Sequence, residues 1–325
     1  MKASLAALLI LAWTADGFAA QEGTTPAEGM RLLRQMATAA RELTYSGTFV
    51  YKHGGQIETS RIWHLTDSTG DYERLETLDG PPREIVRTNE EVTCFYPGAK
   101  TAKIEKWATA RRFPAVVSEQ LAAIVSNYGV RKGALSRVAG HDCRIAVLEP
   151  RDSLRYGHVF CAELKTGLPL RATTVNERNE IVEMFAFTQV QIGGPIPREQ
   201  LRASYDAYAP GWKVDQSTSV PNADLELSWT VMNRPAGFRK VLELKRTLQG
   251  KSAAQIVFSD GLAAVSVFIE PAVAGTRAAQ ELSHQGAINI FTRPHAGYVV
   301  TALGEAPAST VMQFANSVVR AQAGR

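Results

Sequence analysis

Turn residues break the stretch from Tyr45 to Ile192 into short runs, and this rhythm limits the fold more than any other feature of the 325-residue chain. In "ERLETLDGPPREIVRTNEEVTCFYPG", residues 73–98, mixed polar and apolar runs are interrupted by Asp79-Gly80-Pro81-Pro82, Asn89-Glu90-Glu91 and Pro97-Gly98. Such spacing predicts strand, turn, strand, turn, strand. "YSGTFVYK" puts Tyr45, Gly47, Phe49 and Tyr51 on one face. The meander continues through "QIETSRIWHL", Tyr72 to Leu78, Arg83 to Arg87, Val92 to Tyr96 and Thr101 to Trp107. After a break it resumes near Val130 and runs to Ile192, for about ten or eleven strands in all. An antiparallel sheet of that size curls or closes, and its concave face must be filled.

Two amphipathic segments are the expected filling. Thr25-Pro26-Ala27-Glu28 reads as N-cap, first-turn proline and capping box, followed by Met30, Leu33, Ala37, Ala40 and Leu43 at helical spacing. "FPAVVSEQLAAIVSNY" places Val117, Leu121 and Ile124 on one face. If the helices fill the sheet incompletely, a lipid-sized apolar pocket remains, with Phe49, Tyr51, Trp63, Ile85, Phe95 and Trp107 as its candidate lining. Ordinary core packing is the plainer reading of the same aromatics. From Gly193 the texture becomes Pro-, Gly- and Ser-rich, which predicts a linker over 193–222 with a short helix near Arg198 to Tyr205. Residues 223–325 then read as a smaller α+β unit: five strands and a closing helix from Ser309 to Arg320.

Residues 1–20 have the layout of a signal peptide: Lys2, an apolar run from Ala3 to Trp13, and small residues at Gly17, Ala19 and Ala20. That run is too short to span a bilayer. The mature chain, from residue 21, is expected to be soluble and exported. With 45% hydrophobic and 21% charged residues it is globular in composition, and a formal charge of +4 is too weak to imply nucleic-acid binding. The basic stretch Lys100, Lys103, Lys106, Arg111 and Arg112 is most simply a solvated face.

No His-Glu-x-x-His, Gly-x-Ser-x-Gly or phosphate-loop motif occurs, so neither an enzyme nor a bound cofactor is expected. Export permits a disulfide. Cys143 and Cys161 flank a hairpin connection centred near Asp152, and a symmetric hairpin would set them directly opposite each other. The alternative is a pair of buried thiols. His141, Cys143, His158 and Cys161 tempt one to write a metal site, but residues 158 and 161 point to opposite faces of a strand, so none is assigned.

Several blocks, in order, carry a resemblance: "LTYSGTFVY", "ERLETLDGPPREIVR" with "VTCFYP", "RYGHVFCAELKTGLPLR", "FSDGLAAVSVFIEP" and "GAINIFTRPHAGYVVTALGEAP". From about residue 27 to 320 the chain resembles the MucB/RseB family, periplasmic negative regulators of the envelope-stress sigma factor. The resemblance implies a mainly β fold with α+β elements. Its large domain (21–192) would be an unclosed antiparallel β-barrel similar to the lipoprotein carriers LolA and LolB, covered by helices. It implies binding to the periplasmic part of a single-span membrane anti-sigma factor, protection of that partner from regulated proteolysis, and release by acylated lipid or lipopolysaccharide. It leaves a homo-oligomer open. Partner-contact candidates taken from the blocks are Ser259, Asp260, Phe268, Glu270, Arg293 and Glu305. The Cys at 161 departs from the large apolar residue the family pattern suggests there. The alternative reading is a periplasmic lipid or lipoprotein carrier, which would not need residues 223–325.

Overall fold

The computed structural model describes residues 25–89, 91–106, 121–216, 220–221, 229–248, 251–273 and 279–321. The signal-peptide region, Trp107, Arg111 and Arg112 lie outside these residues. Helix α1 (Pro26–Glu42) starts as its sequence dictates. The Thr25 hydroxyl accepts from the Glu28 amide at 3.2 Å, and the Glu28 carboxylate accepts from the Thr25 amide at 2.9 Å. Its buried residues are Gly29, Leu33, Met36 and Ala39, so the larger Met36, rather than the expected Ala37, faces the core. Gly29 lets the helix approach the sheet, because a Cβ there would lie 2.8 Å from the Val130 Cβ.

Among the described residues eleven strands follow, with the short helix α2 (Leu121–Asn127) between the sixth and the seventh. Before it come β1 (Tyr45–His53), β2 (Gln56–Asp67), β3 (Gly70–Thr77), β4 (Glu84–Thr88), β5 (Glu91–Tyr96) and β6 (Thr101–Lys106). After it come β7 (Tyr128–Val138), β8 (His141–Pro150), β9 (Gly157–Glu163), β10 (Pro169–Val175) and β11 (Ile181–Ile192). They form one meander that turns back on itself, with β11 paired to β1 and the order β12-β6-β5-β4-β3-β2-β1-β11-β10-β9-β8-β7. The terminal strands of that order do not pair with each other, so the sheet is unclosed. Its pairs are antiparallel except the last, where β12 (Lys213–Gln216) runs parallel to β6.

That last strand corrects the linker expected over 193–222. Arg198–Leu201 is a 3₁₀ turn, Tyr205 and Trp212 pack with Phe95, Ala102 and Ile104, and Val214 joins them from β12 itself. Proline and glycine break the periodicity here, while the two aromatic rings supply enough apolar area to hold an irregular chain on the sheet.

The second unit is a seven-stranded sheet in the order β13-β15-β16-β17-β20-β19-β18. Its strands are β13 (Val220–Pro221), β15 (Arg239–Leu248), β16 (Lys251–Ser259), β17 (Ala264–Pro271), β18 (Glu281–Gln285), β19 (Ile288–His295) and β20 (Tyr298–Gly304). Helix α3 (Ala308–Asn316) lies on one face, with Val311 and Phe314 in a core that includes Val265, Val267, Phe291 and Val300. The closing helix ends earlier than expected. At Val318-Val319 the chain returns to extended backbone, which suits β-branched residues, and β21 (Val318–Arg320) pairs with β14 (Trp229–Val231).

Candidate functional site

Strands β1 to β5 pair without a bulge, so alternation assigns each side chain to a face. Phe49 stands opposite Ser60, and the row Ile62, Leu75, Ile85, Cys94 lies on the same face. This is the helix side, because Ala39 and Leu43 cluster with Phe49, Ile62 and Leu75. Phe49 is 2% exposed and sits edge-on to Phe185 and Phe187, with centroids 5.1 and 6.2 Å away. The Tyr51 hydroxyl donates to Glu183 Oε1 at 2.6 Å, and half-buried Ile85 packs against the same cluster.

Trp63 and Phe95 point the other way, so the five expected pocket residues that the structure describes do not share one face of the sheet. Trp63 is paired with Arg74, and Phe95 with Glu84, on the face away from the helices. The Arg74 and Arg61 guanidinium carbons lie 5.0 and 5.7 Å from the Trp63 ring. Trp63 lines a shallow cleft of ≈ 330 Å³ with Ser46, Thr48 and Gln191. Phe95 is covered by Tyr205 and Trp212. Both faces of β2 to β5 carry apolar residues, so alternation alone does not reveal which set meets the helices.

A fastening that the sequence reading missed holds the end of α1. His64 is 3% exposed and stacks on Tyr45 at 4.8 Å. Its Nδ1 lies 2.8 Å from the Leu43 carbonyl and its Nε2 3.2 Å from Asp71 Oδ1. Two residues on, the Thr66 hydroxyl donates to the Arg41 carbonyl at 2.9 Å. The spacing His-x-Thr on one strand face was the available signal.

The partner-contact candidates do not form one surface either. Asp260 is fully buried, and its Oδ2 accepts from the Tyr128 hydroxyl and from Arg155 Nη1, both at 3.0 Å. It therefore joins the two sheet units and is not available to a partner. The Ser259 hydroxyl accepts from the Gly261 amide in the same turn. Arg293 donates through Nε to the Ala315 carbonyl at 3.0 Å, closing the last turn of α3. Phe268 and Glu270, both half-buried, share the face of β17 opposite core residues Val267 and Ile269. Glu305 is half-buried between β20 and α3.

A disulfide joins Cys143 and Cys161, with Cα atoms 5.4 Å apart. The register corrects the geometry expected for it. Cys143 faces Glu163 and Cys161 faces Ile145, so the bridge runs diagonally between neighbouring rows. The hairpin is centred on Ser153, one residue later than symmetry about Asp152 predicts. Because the two sulfurs are bonded to each other, neither is a free thiolate for a metal. Cys94 is a free, half-buried thiol beside Ile85.

The profile of the MucB/RseB N-terminal domain matches residues 28–205, and that of the MucB/RseB C-terminal domain matches residues 223–319. The chain belongs to the MucB/RseB family. It is 31% identical over 304 residues to the sigma factor AlgU regulatory protein MucB of Pseudomonas aeruginosa, covering 91% of this chain and 92% of that one. The sigma-E factor regulatory protein RseB of Escherichia coli K12 is 24% identical over 305 residues, covering 93% of each. Among solved structures, MucB in complex with MucA(peri) superposes with a TM-score of 0.73 at 28% identity, covering 91% of this chain and 100% of that one. The MucB/RseB likeness therefore spans both sheet units and the segment between them.

Proposed function

We propose that this chain is a periplasmic regulatory binding protein. It holds the periplasmic part of a membrane anti-sigma factor and shields it from regulated proteolysis. It releases that partner when acylated lipid or lipopolysaccharide accumulates, and it performs no catalysis. The observation that carries the reading is the likeness over both units to MucB bound to MucA(peri). A lipid or lipoprotein carrier would have no use for the seven-stranded unit, so that alternative is set aside.

Lipid sensitivity rests on the apolar helix-side face around Phe49, Phe185 and Phe187. A ligand that enters beneath α1 must loosen the helix from this face, and each methylene it buries contributes about 0.8 kcal/mol. Such a ligand frees the partner only if it prefers the partner-free conformation or occupies shared surface. The test is capture from a detergent-solubilised envelope of the source organism. Enrichment of one single-span anti-sigma factor is expected. Enrichment of many acylated lipoproteins without it would replace this reading by the carrier.

A further inference from the structure

The joint between the two units has a charged pair at its centre. The Arg155 and Asp260 side chains are both 0% exposed. Asp260 Oδ1 accepts from the Leu262 and Ala263 amides at 2.9 and 2.8 Å, which fixes its own turn. Oδ2 is left for the first unit and takes Tyr128 and Arg155 together. Arg155 uses its remaining donors on Asp152, at 2.9 and 3.0 Å, and on the Ala236 carbonyl at 2.7 Å. Burial, then the charge of Asp260, pushes the Tyr128 hydroxyl well above the ordinary tyrosine range, so it remains a donor.

A buried ion pair is a poor source of stability, because desolvation offsets the attraction, but it strongly prefers one alignment. One carboxylate oxygen that must satisfy two donors, one at the start of β7 and one in the turn after β8, tolerates neither sliding nor rotation. The hairpin whose turn carries Arg155 is also bridged toward its far end by Cys143–Cys161, which encloses residues 144–160. We propose that Tyr128, Arg155 and Asp260 are positioning residues: their clasp holds the two units at a single angle, and that angle presents the anti-sigma partner's binding surface. The second half of this inference rests on the function proposed above. It extends it by naming residues that act on the partner without touching it.

The test separates registry from stability. Asp260→Asn alone removes the fully buried carboxylate partner of Arg155, leaves it paired with the partly exposed Asp152, and is expected to lower the melting temperature. Asp260→Asn with Arg155→Met removes both charges, keeps the turn cap through the Asn carbonyl, and is expected to regain most of that loss. Spin labels carried by unnatural amino acids at the exposed positions Thr38 and Ser283 leave all the cysteines intact. Their distance distribution should be narrow in the wild type and broad in the folded double variant. Affinity for the periplasmic segment of the source organism's anti-sigma factor should fall about tenfold, within the usual range of coupling between sites. A narrow distribution in the double variant would overturn the clasp as the registry device. A broad one with wild-type affinity would overturn its role in positioning the partner. If the wild type does not bind the segment at all, the proposed function fails, and the distances alone decide the clasp.

Discussion

Gly47 occupies a place with no room for a side chain. A Cβ there would lie 2.4 Å from the Gln189 carbonyl oxygen and 2.9 Å from the Phe187 ring. Gly47→Ala must push β11 or that ring aside, and overpacking of this kind costs about 1–3 kcal/mol. Urea denaturation should show a lower midpoint with unchanged slope; an unchanged midpoint would mean that the ring yields freely. Face assignment gives a second residue-scale test. A charge placed on an apolar surface blocks an acyl chain only if it stands on the surface the chain uses. Ile85→Glu, on the helix side, should weaken displacement of the anti-sigma segment by an acylated ligand. Trp63→Glu, on the far side among Arg61 and Arg74, should leave displacement unchanged. If Trp63→Glu abolishes displacement and Ile85→Glu does not, lipid uses the far face. Strand periodicity was plain in the residues, but the side of the sheet was not, because Ile62 and Trp63 are adjacent and equally apolar.

At the scale of elements, legibility followed local chemistry. The start of α1 was readable because Thr25, Pro26 and Glu28 act within one turn. The path of 198–216 was not, because it depends on Tyr205 and Trp212 meeting Phe95 across more than a hundred residues of chain. Trp212→Ala should therefore cost about 2 kcal/mol, as for loss of a partly buried aromatic. No loss in chemical denaturation would show that the 198–216 segment is held by its hydrogen bonds to Arg74 and Glu84 instead. The Cys143–Cys161 hairpin was readable in its pairing but not in its register, since a one-residue shift of the turn leaves both cysteines within bridging distance. Thiol labelling of the unfolded, unreduced chain should modify Cys94 alone. In the folded protein Cys94 should react slowly, because burial, then the charge of Glu105, pushes its thiol above the ordinary range. Three labelled cysteines in the unreduced chain would remove the bridge.

For the whole molecule, the clasp makes a prediction about cooperativity. The blocks around Ser259-Asp260 and Arg293 were legible as features of a family, yet their structural duties at the joint and in the α3 cap are set by tertiary contacts with the β8–β9 turn and with α3. Further bonds cross the same joint. Asn289 donates to the Tyr156 hydroxyl at 2.9 Å, and Thr310 donates to the Leu154 carbonyl at 2.9 Å. If one unit unfolds alone, the other must expose these groups and leave the Arg155–Asp260 pair broken. Each joint hydrogen bond lost costs about 0.5–1.5 kcal/mol, and charge-assisted ones about 1.5–3, so together they are a sizeable part of a domain's stability. The two units should therefore melt together. Calorimetry of the wild type is expected to give one transition whose calorimetric and van't Hoff enthalpies agree. The Asp260→Asn, Arg155→Met variant removes the charged part of that coupling while leaving each core intact, and its trace should broaden toward two overlapping transitions. Two transitions already present in the wild type would mean that the units are stable independently and that the joint contributes alignment without cooperativity.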